Sequence, residues 1–312
     1  MPDPSPALPR RVIPVGVAVR CLGLGAALAG ILLAAATRAS GAEAVVPPVK
    51  AEAGLLVDLA TGQVLYAKNA QDDRAPASLV KLMTLHLAYE DLRSGKATLA
   101  DLVSVSANAA RTPRFRMGLA AGQMVPLQIL LAGVAVASAN DAAMVVAEYL
   151  EGSEEAFVTR MNAAAREMGL SHTMFANPHG LPDPQQRTTA RDMALLAERL
   201  LQTFPESRDL LAETEFTWQG RLFRRRISLF HDPGGVTALK TGYTLESGYN
   251  LVVTAGKAGH RLLCIILGAE TRGRSFLEAA RLLRFGFGEP DGGTRSPRRW
   301  RPRAATSRVA PR

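Results

Sequence analysis

Cysteine is nearly absent: Cys21 and Cys264 are the two in 312 residues, too few for a disulfide framework or a four-thiolate zinc site. Aromatic residues make up 5% of the chain, and Trp218 and Trp300 belong to no stripe, which argues against a nucleic-acid-binding face of interleaved basic and aromatic side chains. The five histidines, His86, His172, His179, His231 and His260, lack metal-ligand spacing, and no glycine-rich phosphate loop stands between a strand and a helix. No metal and no cofactor are therefore expected. The charge-free apolar run Cys21–Ala36 is 16 residues long, short of the 18 or more of a membrane-spanning helix.

What is present is a chain that buries a core, with 47% hydrophobic and 21% charged residues, so a fully disordered protein is excluded. The net charge of +9 is unevenly spread. Seven arginines against Glu289 and Asp291 place about +5 of it after residue 288, in a Pro-, Gly- and Ser-containing end without apolar periodicity. That end, residues 289–312, reads as a basic disordered tail. Its contact would be anionic lipid or cell-wall polymer, set against a tail with no partner.

Residues 1–44 carry the three parts of an export signal. Arg10 and Arg11 form a positive start, Cys21–Ala36 an apolar stretch, and Ala42-Glu43-Ala44 a small-x-small cleavage site. The expected location is the periplasm or cell envelope, with an uncleaved anchor as the alternative. Residues 45–288 are left as the catalytic domain.

Within that domain the hydrophobic period changes twice. Gly54–Asp58 and Val64–Ala67 flank a turn and read as a hairpin. Ser78–Arg93, a segment opened by Pro126, Glu154–Met168 and Thr189–Leu201 read as helices. The next helix after Ser138-Ala139-Asn140 is expected near Asp141. Strands return at Glu215–Trp218, Leu222–Leu229, Thr237–Thr241, Asn250–Ala255 and Leu262–Leu267, before a closing helix over Ser275–Phe285. The expected fold is α+β: a mostly antiparallel sheet in which late strands join the early hairpin, flanked by helices, beside an all-helical lobe. A groove between sheet and lobe is where chemistry is expected.

Three short motifs fall on element ends beside that groove. Ser78-Leu79-Val80-Lys81 opens a helix, and a spacing of three brings hydroxyl and amine to one face. The amine accepts the serine proton only when neutral, so its pKa must be depressed by burial or by a second cation. Ser138-Ala139-Asn140 offers a hydroxyl to relay a proton and a carboxamide to hold a substrate amide. Lys240-Thr241-Gly242 ends a strand, where a cation and a hydroxyl bind a carboxylate and Gly242 admits a substrate backbone to the strand edge. Each motif alone is weak; all three, in this order and at these junctions, make a constellation.

From Ala53 to Phe287 the chain resembles the low-molecular-mass penicillin-binding proteins, the serine-type D-alanyl-D-alanine carboxypeptidases. The segments Pro76–Thr84, Phe175–Leu181, Lys240–Thr244 and Gly248-Tyr249-Asn250 carry the likeness together with the three motifs. The resemblance implies that Ser78 is the nucleophile, Lys81 its base, Ser138 a proton shuttle and Asn140 the holder of the substrate amide. It implies that Lys240 and Thr241 receive the terminal carboxylate, helped by Arg274. The N–H groups of Ser78 and Tyr243 would make the oxyanion hole, and Lys240 would be the second cation acting on Lys81. The implied substrate is the peptidoglycan stem peptide, with β-lactam antibiotics as covalent inhibitors.

Two departures from the family pattern concern the shape of the substrate site. Arg224-Arg225-Arg226-Ile227-Ser228 stands where asparagines are frequent, and Ala238 where glycine is. Rival readings are a DD-endopeptidase of the same family, a serine β-lactamase and a non-catalytic wall-binding module. A β-lactamase of class A needs a loop Glu-x-x-Leu-Asn, and the nearest match, Glu167-Met168-Gly169-Leu170-Ser171, lacks the asparagine. The non-catalytic reading sits badly with Ser78, Lys81 and Lys240 all being present. His179, in its Pro-His-Gly loop, reads as structural rather than as a triad base.

Overall fold

A computed structural model describes residues 47–225, 227, 229 and 235–289. The export-signal segment 1–44, the tail beyond Glu289, Arg226, Ser228 and His231 lie outside the described residues.

Alternation builds the central sheet. In β9 (His260–Ala269), Leu263, Ile265 and Leu267 face one core, while Leu262, Cys264 and Ile266 face another. A strand buried on both faces needs this unbroken apolar run. β9 pairs antiparallel with β1 (Ala53–Asp58) on one side and β8 (Gly248–Lys257) on the other. With β2 (Val64–Lys68) outside β1 and β7 (Val236–Thr244) outside β8, the order is β2-β1-β9-β8-β7. The early hairpin thus joins the late strands, as expected. Ala258 and Gly259, both at positive φ, make the tight turn from β8 to β9.

One face of the sheet is covered by α8 (Arg272–Gly286), through Phe276, Ala279, Leu282 and Leu283. The other is covered by α6 (Ala190–Thr203) and by α1 (Lys81–Ser94), which leads into the helical lobe. At the centre of that lobe lies α4 (Asn140–Glu151), whose residues from Asn140 to Ala147 are all buried; a helix apolar on every side must be enclosed. Around it pack α2 (Ala107–Arg111), α3 (Leu127–Ala132) and α5 (Glu154–Glu167).

Some elements escape the hydrophobic pattern. The short pair β3 (Leu102–Ser104) and β4 (Met124–Pro126), with α2 and α7 (Glu206–Ala212), are too brief to show a period. The hairpin of β5 (Glu215–Trp218) and β6 (Arg221–Arg224) stops earlier than expected, because Arg225 leaves the ladder and turns inward. Among the described residues no helix is long and apolar enough to cross a membrane.

Candidate active site

Ser78 lies in a 3₁₀ turn, Ala77–Val80, that leads into α1. In such a turn residues three apart eclipse one another, so Lys81 comes back over Ser78 and its Nζ lies 3.2 Å from Ser78 Oγ. The ammonium end is fully enclosed. Its other partners are Asn140 Oδ1 at 2.7 Å and the His179 carbonyl at 2.5 Å. All three partners are oxygens that accept from the amine; once it is neutral, two N–H groups suffice for Asn140 and His179 and the lone pair is free to take the Ser78 proton. Burial depresses the Lys81 pKa to about 7, against an opposing pull from the Asp141 carboxylate.

Two backbone approaches fix the nucleophile. Gly180, at φ 87°, presses on the Ala77 carbonyl so closely that a Cβ would sit 2.1 Å from that oxygen. Gly242 lies against Ser78 from the strand side, where a Cβ would meet the Ser78 nitrogen at 2.9 Å. Ala77 itself has φ 49°, a strained value for a residue with a side chain. Asn250 Nδ2 donates to the Ala75 and Pro76 carbonyls at 2.9 and 3.1 Å, tying β8 to the same segment. Thr84 Oγ1 donates to the Pro178 carbonyl at 2.6 Å, holding the Asn177–Leu181 loop over α1.

Ser138 follows a five-residue π-helical stretch, Gly133–Ala137, and has φ 54°. The wide turn and the left-handed residue together bend the chain before α4. Ser138 Oγ accepts from Lys240 Nζ at 2.8 Å. Lys240, also buried, donates in addition to the Thr241 carbonyl at 3.0 Å. Burial, then repulsion from Lys81 and Arg225, holds the Lys240 pKa well below its ordinary value. Burial is the main cause of the depression at both lysines, and the repulsion between them opposes charging both at once.

Asn140 is tied into the protein through its amide nitrogen. Its Nδ2 donates to the Pro113 and Arg114 carbonyls at 3.0 and 2.9 Å, so both amide hydrogens are used inside the protein. It holds Lys81 and the 113–115 loop, and only a lone pair of Oδ1 is left for a substrate N–H.

Two cavities meet at Ser78, Phe115 and Tyr243. The larger, about 690 Å³, is lined by Ser138, Thr241, Gly242, Arg224, Arg225 and Arg272 among others. The smaller, about 360 Å³, is lined by Arg114, Asn140, Leu181, Leu245 and Glu246 among others. Ser78, Ser138, Asn140, Lys240, Thr241, Gly242 and Tyr243 are therefore brought together. Arg274 is not: it pairs with Glu270 and Glu278 along α8 and lines neither cavity, and Arg272, two residues earlier, does. Helical phase explains the exchange, since positions two apart face different directions.

Three residues contribute in ways that the sequence does not show. Asp141, fully buried, accepts from the Met117, Gly118 and Leu119 N–H groups at 3.0, 2.8 and 3.1 Å and so shapes the loop above the cleft. An acid beginning an otherwise apolar helix was its signal. Arg225 donates to the carbonyls of Glu213 at 2.7 Å, Ala135 at 3.3 Å, Leu239 at 2.9 Å and Leu211, clamping the π-helical stretch to β7 beside Lys240. Burial pushes its guanidinium down to about 10. His179 acts through its carbonyl; its imidazole Nδ1 accepts from the Leu181 N–H at 3.2 Å, and burial lowers its pKa to about 3, consistent with a structural histidine.

A serine beside a buried, proton-poor lysine, set between a sheet edge and a helical lobe, defines a serine peptidase that works without a histidine base. The family profile described as D-alanyl-D-alanine carboxypeptidase matches residues 40–271. The chain is 39% identical over 273 residues to the D-alanyl-D-alanine carboxypeptidase DacC of Escherichia coli, covering 85% of this chain and 68% of that one. For the E. coli DacA the match is 37% identical and covers 78% of this chain and 62% of that one, so the chain spans about two thirds of these relatives' length. Penicillin binding protein 5 from Haemophilus influenzae superposes with a TM-score of 0.76 at 34% identity, covering 78% of this chain and 73% of that one. Penicillin-Binding Protein D2 from Listeria monocytogenes, in its ampicillin-bound form, superposes with a TM-score of 0.68 at 27% identity, covering 78% and 99%. The chain belongs to the D-alanyl-D-alanine carboxypeptidase family.

Proposed function

We propose that the protein is a serine DD-carboxypeptidase that removes the terminal D-Ala from peptidoglycan stem peptides through an acyl-enzyme on Ser78. The observation that carries this reading is the Ser78–Lys81 pair: 3.2 Å apart, with an enclosed amine whose pKa is about 7.

Neutral Lys81 takes the Ser78 proton as Oγ attacks the carbonyl of the penultimate D-Ala. The oxyanion develops at the N–H groups of Ser78 and Tyr243. Thr241 and Arg272 line the larger cavity that takes the terminal carboxylate, and the arriving anion favours the protonated form of Lys240 against burial and the repulsion of Lys81 and Arg225. The Lys240–Ser138 hydrogen bond of 2.8 Å offers a route for the proton that leaves with D-Ala. Arg274 is not needed for this step. Water then hydrolyses the ester, Lys81 again serving as base.

Penicillin follows the first half of this path, but its leaving group stays tethered and obstructs water. Glu167 is the exposed last residue of α5 and lines neither cavity, so it does not stand where a β-lactamase's loop acid would. The penicilloyl-enzyme is expected to persist for minutes. Intact-mass measurement after incubation with penicillin, followed by mapping of the modified peptide, tests this, together with release of D-Ala from a pentapeptide. Rapid loss of the adduct would indicate a β-lactamase, and preference for a cross-linked dimer an endopeptidase. Export to the periplasm by the segment 1–44 and wall or membrane contact by the basic tail complete the proposal; comparing the full chain with one ending at Glu289 for salt-sensitive pelleting with isolated wall tests the latter.

A further inference from the structure

β8 runs from the cleft to a turn at Ala258 and Gly259, and β9 runs back. Tyr249, near the start of β8, lines the larger cleft cavity. Gly256 and Arg261, paired across the two strands, line a separate cavity of about 90 Å³. Tyr249 and Gly256 are seven residues apart, about 23 Å at the rise of a strand, so this second cavity lies at the opposite end of the sheet from Ser78. Lys257, on the same turn, is ion-paired with Glu289. Residues 290–312, with their seven arginines, therefore continue from this end of the domain.

The cavity has a chemistry of its own. Arg208 and Arg261 line it together with one acid, Glu198, and the hydroxyls of Thr237 and Thr254. Arg208 donates to the Leu201 carbonyl at 3.3 Å, and neither arginine has an ion-pair partner among the described residues. Glu198 accepts instead from Gln202 Nε2 at 2.8 Å. The two threonine hydroxyls share one hydrogen bond of 3.0 Å, which leaves one hydroxyl hydrogen to donate. Donors thus outnumber acceptors, and a guanidinium fork matches the oxygens of a phosphate. Leu59 and Leu201 supply apolar wall beside them, as suits a phosphate carried on a glycerol stem.

Size and direction favour a membrane over the cell-wall polymer as the partner at this end. A cavity of about 90 Å³ admits a phosphate diester and is too small for a stem peptide or a glycan strand. The polymer, moreover, has to reach Ser78 at the other end of the sheet. A partner held at the base is one from which the cleft points away.

We propose that the cavity between Arg208 and Arg261 binds the phosphate headgroup of an anionic phospholipid and, with the arginine-rich residues after Glu289, seats the base of the domain on the membrane with the cleft facing the wall. This inference deepens the contact given above to the basic tail and rests on that reading; it is independent of the reaction at Ser78.

The test is flotation of the full chain with vesicles of phosphatidylcholine, alone or with phosphatidylglycerol, alongside pelleting with isolated wall. The segment 1–44 is common to every form and cancels from the comparison. Arg208→Gln with Arg261→Gln should weaken binding to the phosphatidylglycerol vesicles about 25-fold at low salt, close to fivefold for each arginine. It should leave binding to phosphatidylcholine, wall pelleting and penicillin labelling unchanged, the last reporting an intact fold. Arg111→Gln with Arg166→Gln removes the same charge from exposed positions on the helical lobe and should leave vesicle binding nearly unchanged. On bound vesicles, amide exchange should slow at the β8–β9 turn and not at Phe115 or Leu245. Equal losses in the two double variants, lost wall pelleting in place of lost vesicle binding, or protection at the cleft would overturn the proposal. A chain ending at Glu289 that loses headgroup binding altogether, while Arg208→Gln with Arg261→Gln loses none, keeps the tail contact and sinks the cavity. Equal binding of the native chain to both kinds of vesicle removes the two together.

Discussion

The two walls of the cleft each bury a lysine, and the surroundings of the two differ. On the helical wall Lys81 meets a hydroxyl, a carboxamide oxygen and a backbone carbonyl, with the Asp141 carboxylate near enough to pull its pKa upward. On the strand wall Lys240 meets one hydroxyl and one carbonyl, and the charges acting on it are the cations Lys81 and Arg225. The first environment balances an amine near neutrality, where a base must lie to accept and return a proton. The second has no carboxylate to support a charge, so burial and the neighbouring cations disfavour protonated Lys240 until an anion pairs with it. One residue type thus serves proton transfer on one wall and is placed to pair with an incoming anion on the other.

The largest effect should come from removing the atom both walls serve. Ser78→Ala is expected to abolish penicillin labelling and D-Ala release while leaving the circular-dichroism spectrum intact; labelling that survives would place the nucleophile elsewhere. Making the same substitution at both lysines then sharpens the contrast. Lys81→Arg should slow acylation about 10²–10⁴-fold, because a guanidinium does not become neutral in a protein. Lys240→Arg fixes a charge where burial and the neighbouring cations oppose one and should lose about tenfold, mainly in KM. Equal losses in acylation rate would erase the division of labour.

Gly180→Ala perturbs the helical wall alone. A methyl group 2.1 Å from the Ala77 carbonyl, on a residue at φ 87°, must displace the 3₁₀ turn. A loss of about 1–3 kcal/mol in stability is expected, with slower acylation and little change in KM. A normal rate would show that the turn tolerates displacement.

The smallest and most diagnostic change is in pH dependence. Acylation should rise with pH through about 7, as Lys81 loses its proton. Asp141→Asn removes the charge that favours protonated Lys81, so the rise should move to lower pH by about half a unit to one unit. A shift to higher pH would mean that Asp141 acts on the rate through the Met117–Leu119 loop instead.

Much of this site could be read directly from the sequence, because spacing alone brings Ser78 to Lys81 and alternation alone puts Lys240 on a strand. The joining of the early hairpin to the late strands was legible from the apolar runs at both ends of the domain, whereas the order β2-β1-β9-β8-β7 was not. What stayed hidden depends on backbone detail that residue type does not encode. Gly133-Val134-Ala135-Val136-Ala137 reads as continuing helix, and its widening into a π turn follows from the packing of Arg225 on the Ala135 carbonyl and of Ala139 N–H on that of Gly133. The His179 side chain drew notice while its carbonyl does the work. The resemblance implies Arg274 and is silent on Arg272, because a motif carries no helical phase until the start of α8 is fixed at residue 272.

The seat of Gly242 against Ser78 bears on how the enzyme can move. A Cβ at Gly242 would lie 2.9 Å from the Ser78 nitrogen, 3.1 Å from the Ala77 Cβ and 3.2 Å from the Pro76 oxygen. Strand and helix start touch through bare backbone, with no long side chain between them to act as a cushion. The cleft therefore behaves as a lock cut in one piece rather than as a jaw: parting the walls means breaking this contact.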